Sequence, residues 1–244
     1  MTEIHGEVDE GFGAVADAFA ANFEHRGEVG AAFCLYADGV KRVDLWGGVA
    51  DKSTGREWSE DTLQLVFSST KGAVATCIAR LVERGELGYD DAVAKHWPGF
   101  AVNGKDEITV DQLMSHQAGL IAVDERLSFD EIMAVTPIVD ALERQRPLWE
   151  PGTGHGYHAI TYGWLAGELL RRVDGRRIGQ FFREEIAEPL GLDFWIGLPE
   201  EHEHRVSRIE VAAPPTDPAE IELMLELLGP GTNGYRAMSM DGVI

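Results

Sequence analysis

Ser68 and Lys71 stand three apart in the run Val66-Phe67-Ser68-Ser69-Thr70-Lys71-Gly72-Ala73-Val74. The run joins an apolar extended segment (Leu63, Leu65, Val66, Phe67) to a helix whose apolar positions Val74, Ile78, Leu81 and Val82 recur at helical spacing. Three residues across a first turn can place both side chains on one face, beside the unpaired N–H groups and partial positive charge of a helix start. A serine hydroxyl is a weak nucleophile until a neighbouring base takes its proton. An ammonium beside a positive helix end is disfavoured as a cation, so Lys71 is expected to accept the Ser68 proton while nearby N–H groups hold an oxyanion. The plainer alternative is a serine helix cap followed by a surface lysine, and S-x-x-K alone recurs by chance.

A second group lies in the glycine-rich stretch Pro151-Gly152-Thr153-Gly154-His155-Gly156-Tyr157. A loop tyrosine on a rigid scaffold can shuttle a proton to a leaving group, and Lys71 would supply the cation that favours its phenolate. Packing of the Tyr157 ring against helices is the competing reading. His116, before Gly119, fits a capping or packing role. His155 and His158 are three apart in a loop, too few ligands for a metal, and Glu201-His202-Glu203-His204 reads as a solvated polar stretch. Gly229, Gly231 and Gly234 match the dinucleotide fingerprint only formally, because they follow a helix and include Pro230. No G-x-S-x-G elbow occurs.

The elements that must position these groups are legible in outline. Val8, Phe12, Val15, Phe19 and Phe23 form one apolar stripe, predicting a helix over 7–25. Residues 29–36 read as a strand, Asp38-Gly39 as a hairpin turn and 43–48 as the return strand, with a further turn at Ser53-Thr54-Gly55. The helix after Ser68 should stop near Gly85. Thr109 with Gln112, and Ser128 with Glu131, are capping-box pairs, and Pro137 opens a helix over 137–145. Helices are predicted over 160–173, 177–188 and from Asp217-Pro218 to Gly229-Pro230, with an unpatterned end at Ile244. Strands first and helices after is an α+β order, not the alternation of a doubly wound sheet.

The bulk properties narrow the function. The 244 residues include 21 basic and 42 acidic side chains, a formal net charge of −21, and 44% are hydrophobic. Such acidity disfavours a nucleic-acid or anionic-membrane partner. Residues 1–25 lack a basic n-region and an apolar h-region, and no run of about 18 apolar residues exists, so neither a secretory signal nor a membrane helix is expected. Cys34 and Cys77 read as two buried thiols in a reducing, cytoplasmic setting.

Ser68-Ser69-Thr70-Lys71, then Leu113-Met114-Ser115-His116-Gln117-Ala118-Gly119-Leu120, then Pro151-Gly152-Thr153 with Tyr157 follow in an order that resembles the serine β-lactamase/penicillin-binding superfamily. The likeness covers most of residues 10–200 and is nearest to class C β-lactamase-like proteins, including the family VIII carboxylesterases; Trp46-Gly47-Gly48 adds to it. The resemblance implies Ser68 as acylated nucleophile, Lys71 as its base and Tyr157 as proton relay, with no metal or organic cofactor. It implies one β-lactamase-like domain, with an α/β part at 1–66, a mainly helical part at 67–200 and an incomplete C-terminal part at 201–244.

Two departures qualify the match. Ala159 stands where class C enzymes carry asparagine, which weakens β-lactam hydrolysis against ester hydrolysis. The family's third motif, on a strand far downstream, has no counterpart after Tyr157. The chain would then be a fragment, a subunit whose sheet an oligomer or second chain completes, or a protein whose sheet is rebuilt. The reading that results is a serine hydrolase of small carboxylic esters. A D-peptidase or weak β-lactamase, and an inactive binding module, are the alternatives.

Overall fold

The computed structural model describes residues 2–211 and 213–243, and the chain divides into two compact units. Unit one comprises residues 1–66 and 198–213, and unit two residues 67–197 and 214–244. Ile244, where the unpatterned end was expected to stop, lies outside the described residues.

Unit one is a small antiparallel sheet covered by a helix. Its elements are β1 (Ile4–Val8), α1 (Gly13–His25), β2 (Gly30–Ala37), β3 (Val40–Asp51) and β4 (Arg56–Glu57), with β3 central between β1 and β2. Asp38 and Gly39 both have positive φ, 52° and 75°, as a two-residue type I′ turn between β2 and β3 requires. The predicted helix over 7–25 is corrected: it starts at Gly13, and residues 4–8 pair with β3 from Ile4↔Gly47 to Val8↔Val43. The apolar stripe itself is real, since Val8, Phe12, Val15 and Phe23 pack around buried Phe19, Val43 and Leu45. Segment 198–213 returns to this unit, where Leu63 exchanges backbone hydrogen bonds with Arg205 and Ser207. Among the described residues no strand follows β4. Cys34 is exposed, not buried as expected, because it lies on the face of β2 opposite Ala31 and Leu35.

Unit two is helical. It holds α2 (Thr70–Glu83), α3 (Val93–His96), α4 (Val110–Met114), α5 (Phe129–Met133), α6 (Thr136–Arg144), α7 (Thr161–Asp174), α8 (Ile178–Phe182), α9 (Glu188–Leu190), α10 (Pro218–Leu228) and α11 (Asn233–Ser239). Cys77, Ile78 and Leu81 of α2 meet Leu165, Leu169 and Leu170 of α7 in one continuous buried core. Ser128 accepts from Glu131 N–H at 3.3 Å and Glu131 accepts from Ser128 N–H at 2.8 Å, closing the capping box that starts α5. Thr109 N–H donates to Gln112 Oε1 at 3.1 Å at the start of α4. The predicted helix over 177–188 is α8 running through a π turn, Arg183–Ala187, into α9. The end of the chain is not patternless: α11 buries Ala237, with Thr232 accepting from Tyr235 N–H as its cap. Gly229 closes α10, which accounts for one glycine of the false dinucleotide match. Among the described residues no helix is long and apolar enough to cross a membrane.

Candidate active site

The site is built where α2 begins. Phe67 precedes Ser68 with φ +45°, a left-handed conformation that a bulky residue rarely takes, and the short turn Phe67–Ser69 leads directly into α2. The turn leaves Ser68 exposed, and Lys71, in the first turn of α2, donates to Ser68 Oγ at 3.2 Å. The same Nζ donates to the Ala159 carbonyl at 2.7 Å.

Tyr157 comes from a remote loop and closes the group. Its ring centroid lies 4.9 Å from Lys71 Nζ. Partial burial pushes its phenol up, but hydrogen bonds with Ser68 and Lys71 and the Lys71 charge outweigh this and leave it below the usual tyrosine range. The structure therefore brings together Ser68, Lys71 and Tyr157. A second tyrosine, Tyr162 of α7, has its ring 5.6 Å from the same ammonium. Burial pushes Tyr162 up to about 12, the opposite direction from Tyr157 beside the same ammonium.

The supporting contacts were not foreseen in the sequence. Ala159, a residue without side-chain chemistry, contributes its backbone carbonyl to Lys71. His116 has φ +65°, and its ring lies 5.0 Å from that of Tyr157 and 5.2 Å from that of Tyr162. Burial lowers the His116 pKa, and the neighbouring His155 and Lys71 charges act in the same direction. Trp149 donates through Nε1 to the Gly154 carbonyl at 3.1 Å and lies against Gly156, where a Cβ would come within 2.4 Å of the indole. That close approach explains a glycine directly before Tyr157. Among the described residues no group of three or more His, Cys, Asp or Glu side chains could hold a metal ion.

A serine and lysine one helical turn apart, faced by a tyrosine from a loop of a helical unit, is an arrangement of the β-lactamase/transpeptidase class. The Beta-lactamase family profile matches residues 15–241, and the chain belongs to that family. It is 41% identical over 193 residues to the esterase/beta-lactamase LipL of Mycobacterium tuberculosis, covering 78% of this chain and 44% of LipL. A family VIII carboxylesterase structure superposes with a TM-score of 0.86 at 38% identity, over 99% of this chain and 62% of that one. A penicillin-binding protein homologue from Caulobacter crescentus gives 0.82 at 45% identity, over 88% of this chain and 57% of that one. The chain thus spans less than two thirds of the length of these relatives.

Proposed function

We propose that this chain is a serine hydrolase that cleaves small carboxylic esters through an acyl-Ser68 intermediate. One observation carries the reading: Ser68 Oγ, Lys71 Nζ and the Tyr157 phenol form one contact group. Ser68 Oγ attacks the ester carbonyl and passes its proton to the Lys71–Tyr157 pair. With Lys71 charged, the phenolate of Tyr157 is the acceptor, and with Lys71 neutral its amine is. The carbonyl oxygen gains the negative charge, which N–H groups at the start of α2 can stabilise. Collapse breaks the bond to the alkoxy oxygen, which leaves as alcohol with the proton returned through Tyr157. Water then attacks the acyl-serine and gives its proton to the same pair, and collapse breaks the bond to Ser68 Oγ, which takes that proton back as the acid is released.

The names of the esterase relatives and Ala159 in place of asparagine support ester over β-lactam substrates. The penicillin-binding relative favours a second reading, a D-peptidase or weak β-lactamase using the same residues. The proposal is tested by p-nitrophenyl butyrate turnover and by fluorophosphonate labelling, with the adduct located by mass spectrometry. Label on Ser68, lost together with turnover in Ser68→Ala, is the expected result; full activity in that variant would end the proposal. Nitrocefin turnover at a rate rivalling the ester would favour the second reading.

A further inference from the structure

The Gly156–Thr161 turn is fastened to the 116–120 segment by hydrogen bonds in which histidine rings take part. Gly156 N–H donates to the His116 carbonyl at 3.1 Å, and His158 N–H donates to His116 Nδ1 at 3.2 Å. Leu120 N–H donates to His158 Nε2 at 3.0 Å, and Thr161 Oγ1 donates to the Leu120 carbonyl at 2.7 Å. The His158 ring also reaches its own turn, with Nδ1 2.7 Å from the Gly156 carbonyl oxygen. A carbonyl only accepts and an N–H only donates, so Nδ1 carries the ring proton and Nε2 carries none. His158 is wholly buried, so these are the partners that replace water for its ring.

Both chain neighbours of this ring act on Lys71. Tyr157, before it, presents the ring 4.9 Å from the ammonium; Ala159, after it, offers the carbonyl 2.7 Å away. A tilt of the His158 ring would move the phenol and the carbonyl together.

We infer that His158 is a positioning residue for the reaction at Ser68: as its neutral Nδ1–H form it spans Gly156 and Leu120 and so holds Tyr157 and the Ala159 carbonyl against Lys71. The inference deepens the acyl-serine reading and rests on it. His158 touches no reacting atom and acts through geometry, where a misplacement of about 1 Å costs on the order of 10²-fold in rate.

The test compares wild type with His158→Leu, His158→Gln and His158→Asn, assayed with p-nitrophenyl butyrate well below their melting temperatures. Glutamine can restore the acceptor for Leu120 N–H, and asparagine can restore the donor to the Gly156 carbonyl. Expected is a kcat loss of about 100-fold in His158→Leu with KM within about 3-fold, and smaller losses in the two amides. The pH–rate transition that reports Tyr157 ionisation should move to higher pH in His158→Leu, as the phenol leaves the Lys71 ammonium that holds it low. Wild-type kcat and an unmoved pH profile in that variant would overturn the inference, since a purely stabilising role would lower only its melting temperature. If His158→Leu does not fold, ¹⁵N shifts of the histidine rings in the wild-type chain decide. A protonated Nδ1 with bare Nε2 at His158 supports the inference, and the opposite tautomer or an imidazolium at pH 7 overturns it. Wild type that neither turns over ester nor takes the fluorophosphonate would instead remove the acyl-serine reading, whatever the ring's tautomer.

Discussion

In the proposed reaction, Lys71 makes the tyrosine next to it a usable acid–base group. Tyr157 lies below the usual phenol range because Ser68 and Lys71 hydrogen bond to it and outweigh its partial desolvation. Ultraviolet titration, read as the difference between wild type and Tyr157→Phe, should therefore show deprotonation below the ordinary value of about 10. Lys71→Met should return that transition upward. Tyr157→Phe should lower kcat by roughly 10²- to 10⁴-fold, the range of a lost general acid–base group, as measured by steady-state ester hydrolysis. His158 makes a second prediction. Burial pushes it down to about 4, with the nearby His116 and His155 adding in the same direction. The unfolded chain, with an ordinary histidine pKa near 6.5, takes up its proton first as pH falls. The stability contribution is thus complete above about pH 6.5 and lost on the way down to about pH 4, amounting to about 3 kcal/mol. Urea midpoints between pH 7 and 4 should fall more steeply for wild type than for His158→Gln; equal slopes would refute this assignment.

At the scale of elements, the legible parts of the chain were those whose stability is local. The stripe of α2, the capping box at Ser128 and the stop of α2 before Gly85, with φ +70°, are written in residues within a few positions of one another. Strand β1 was not, because its exposed centre, His5-Gly6-Glu7, has no alternation of its own and the strand exists through pairing with β3. Helix α6 shows the same limit. Its C-terminal end is held by Lys105, wholly buried, which donates to the Val102, Glu143 and Gln145 carbonyls at 3.0, 2.8 and 2.6 Å. Burial pushes this lysine down to about 8. Nothing in its sequence neighbourhood distinguishes it from a surface lysine. Lys105→Met keeps the volume and strands three carbonyls, so it should cost about 3 kcal/mol. A shift of the denaturant midpoint below 1 kcal/mol would show that water replaces the ammonium.

For the whole molecule the dominant fact is charge. A net −21 over 244 residues repels itself, and many surface pairs such as Lys41–Asp44 and Arg144–Glu125 are too exposed to offset it. Raising ionic strength from about 0.01 to 0.15 M shortens the screening length from about 30 to 8 Å. The melting temperature should rise over that range in differential scanning calorimetry; a fall would mean that the ion pairs outweigh the repulsion. The sequence alone determined the family, the α+β order of elements and the serine–lysine spacing, because a helical turn and a capping motif are set by neighbours in the chain. Only the tertiary structure decided that Tyr157 faces Lys71 and not a packed interior. It alone brought His158 under the turn and turned the Ala159 carbonyl into a ligand for the ammonium. Those contacts join residues more than 35 positions apart, and their geometry comes from packing of α2, α7 and the 116–120 segment, which no local pattern encodes.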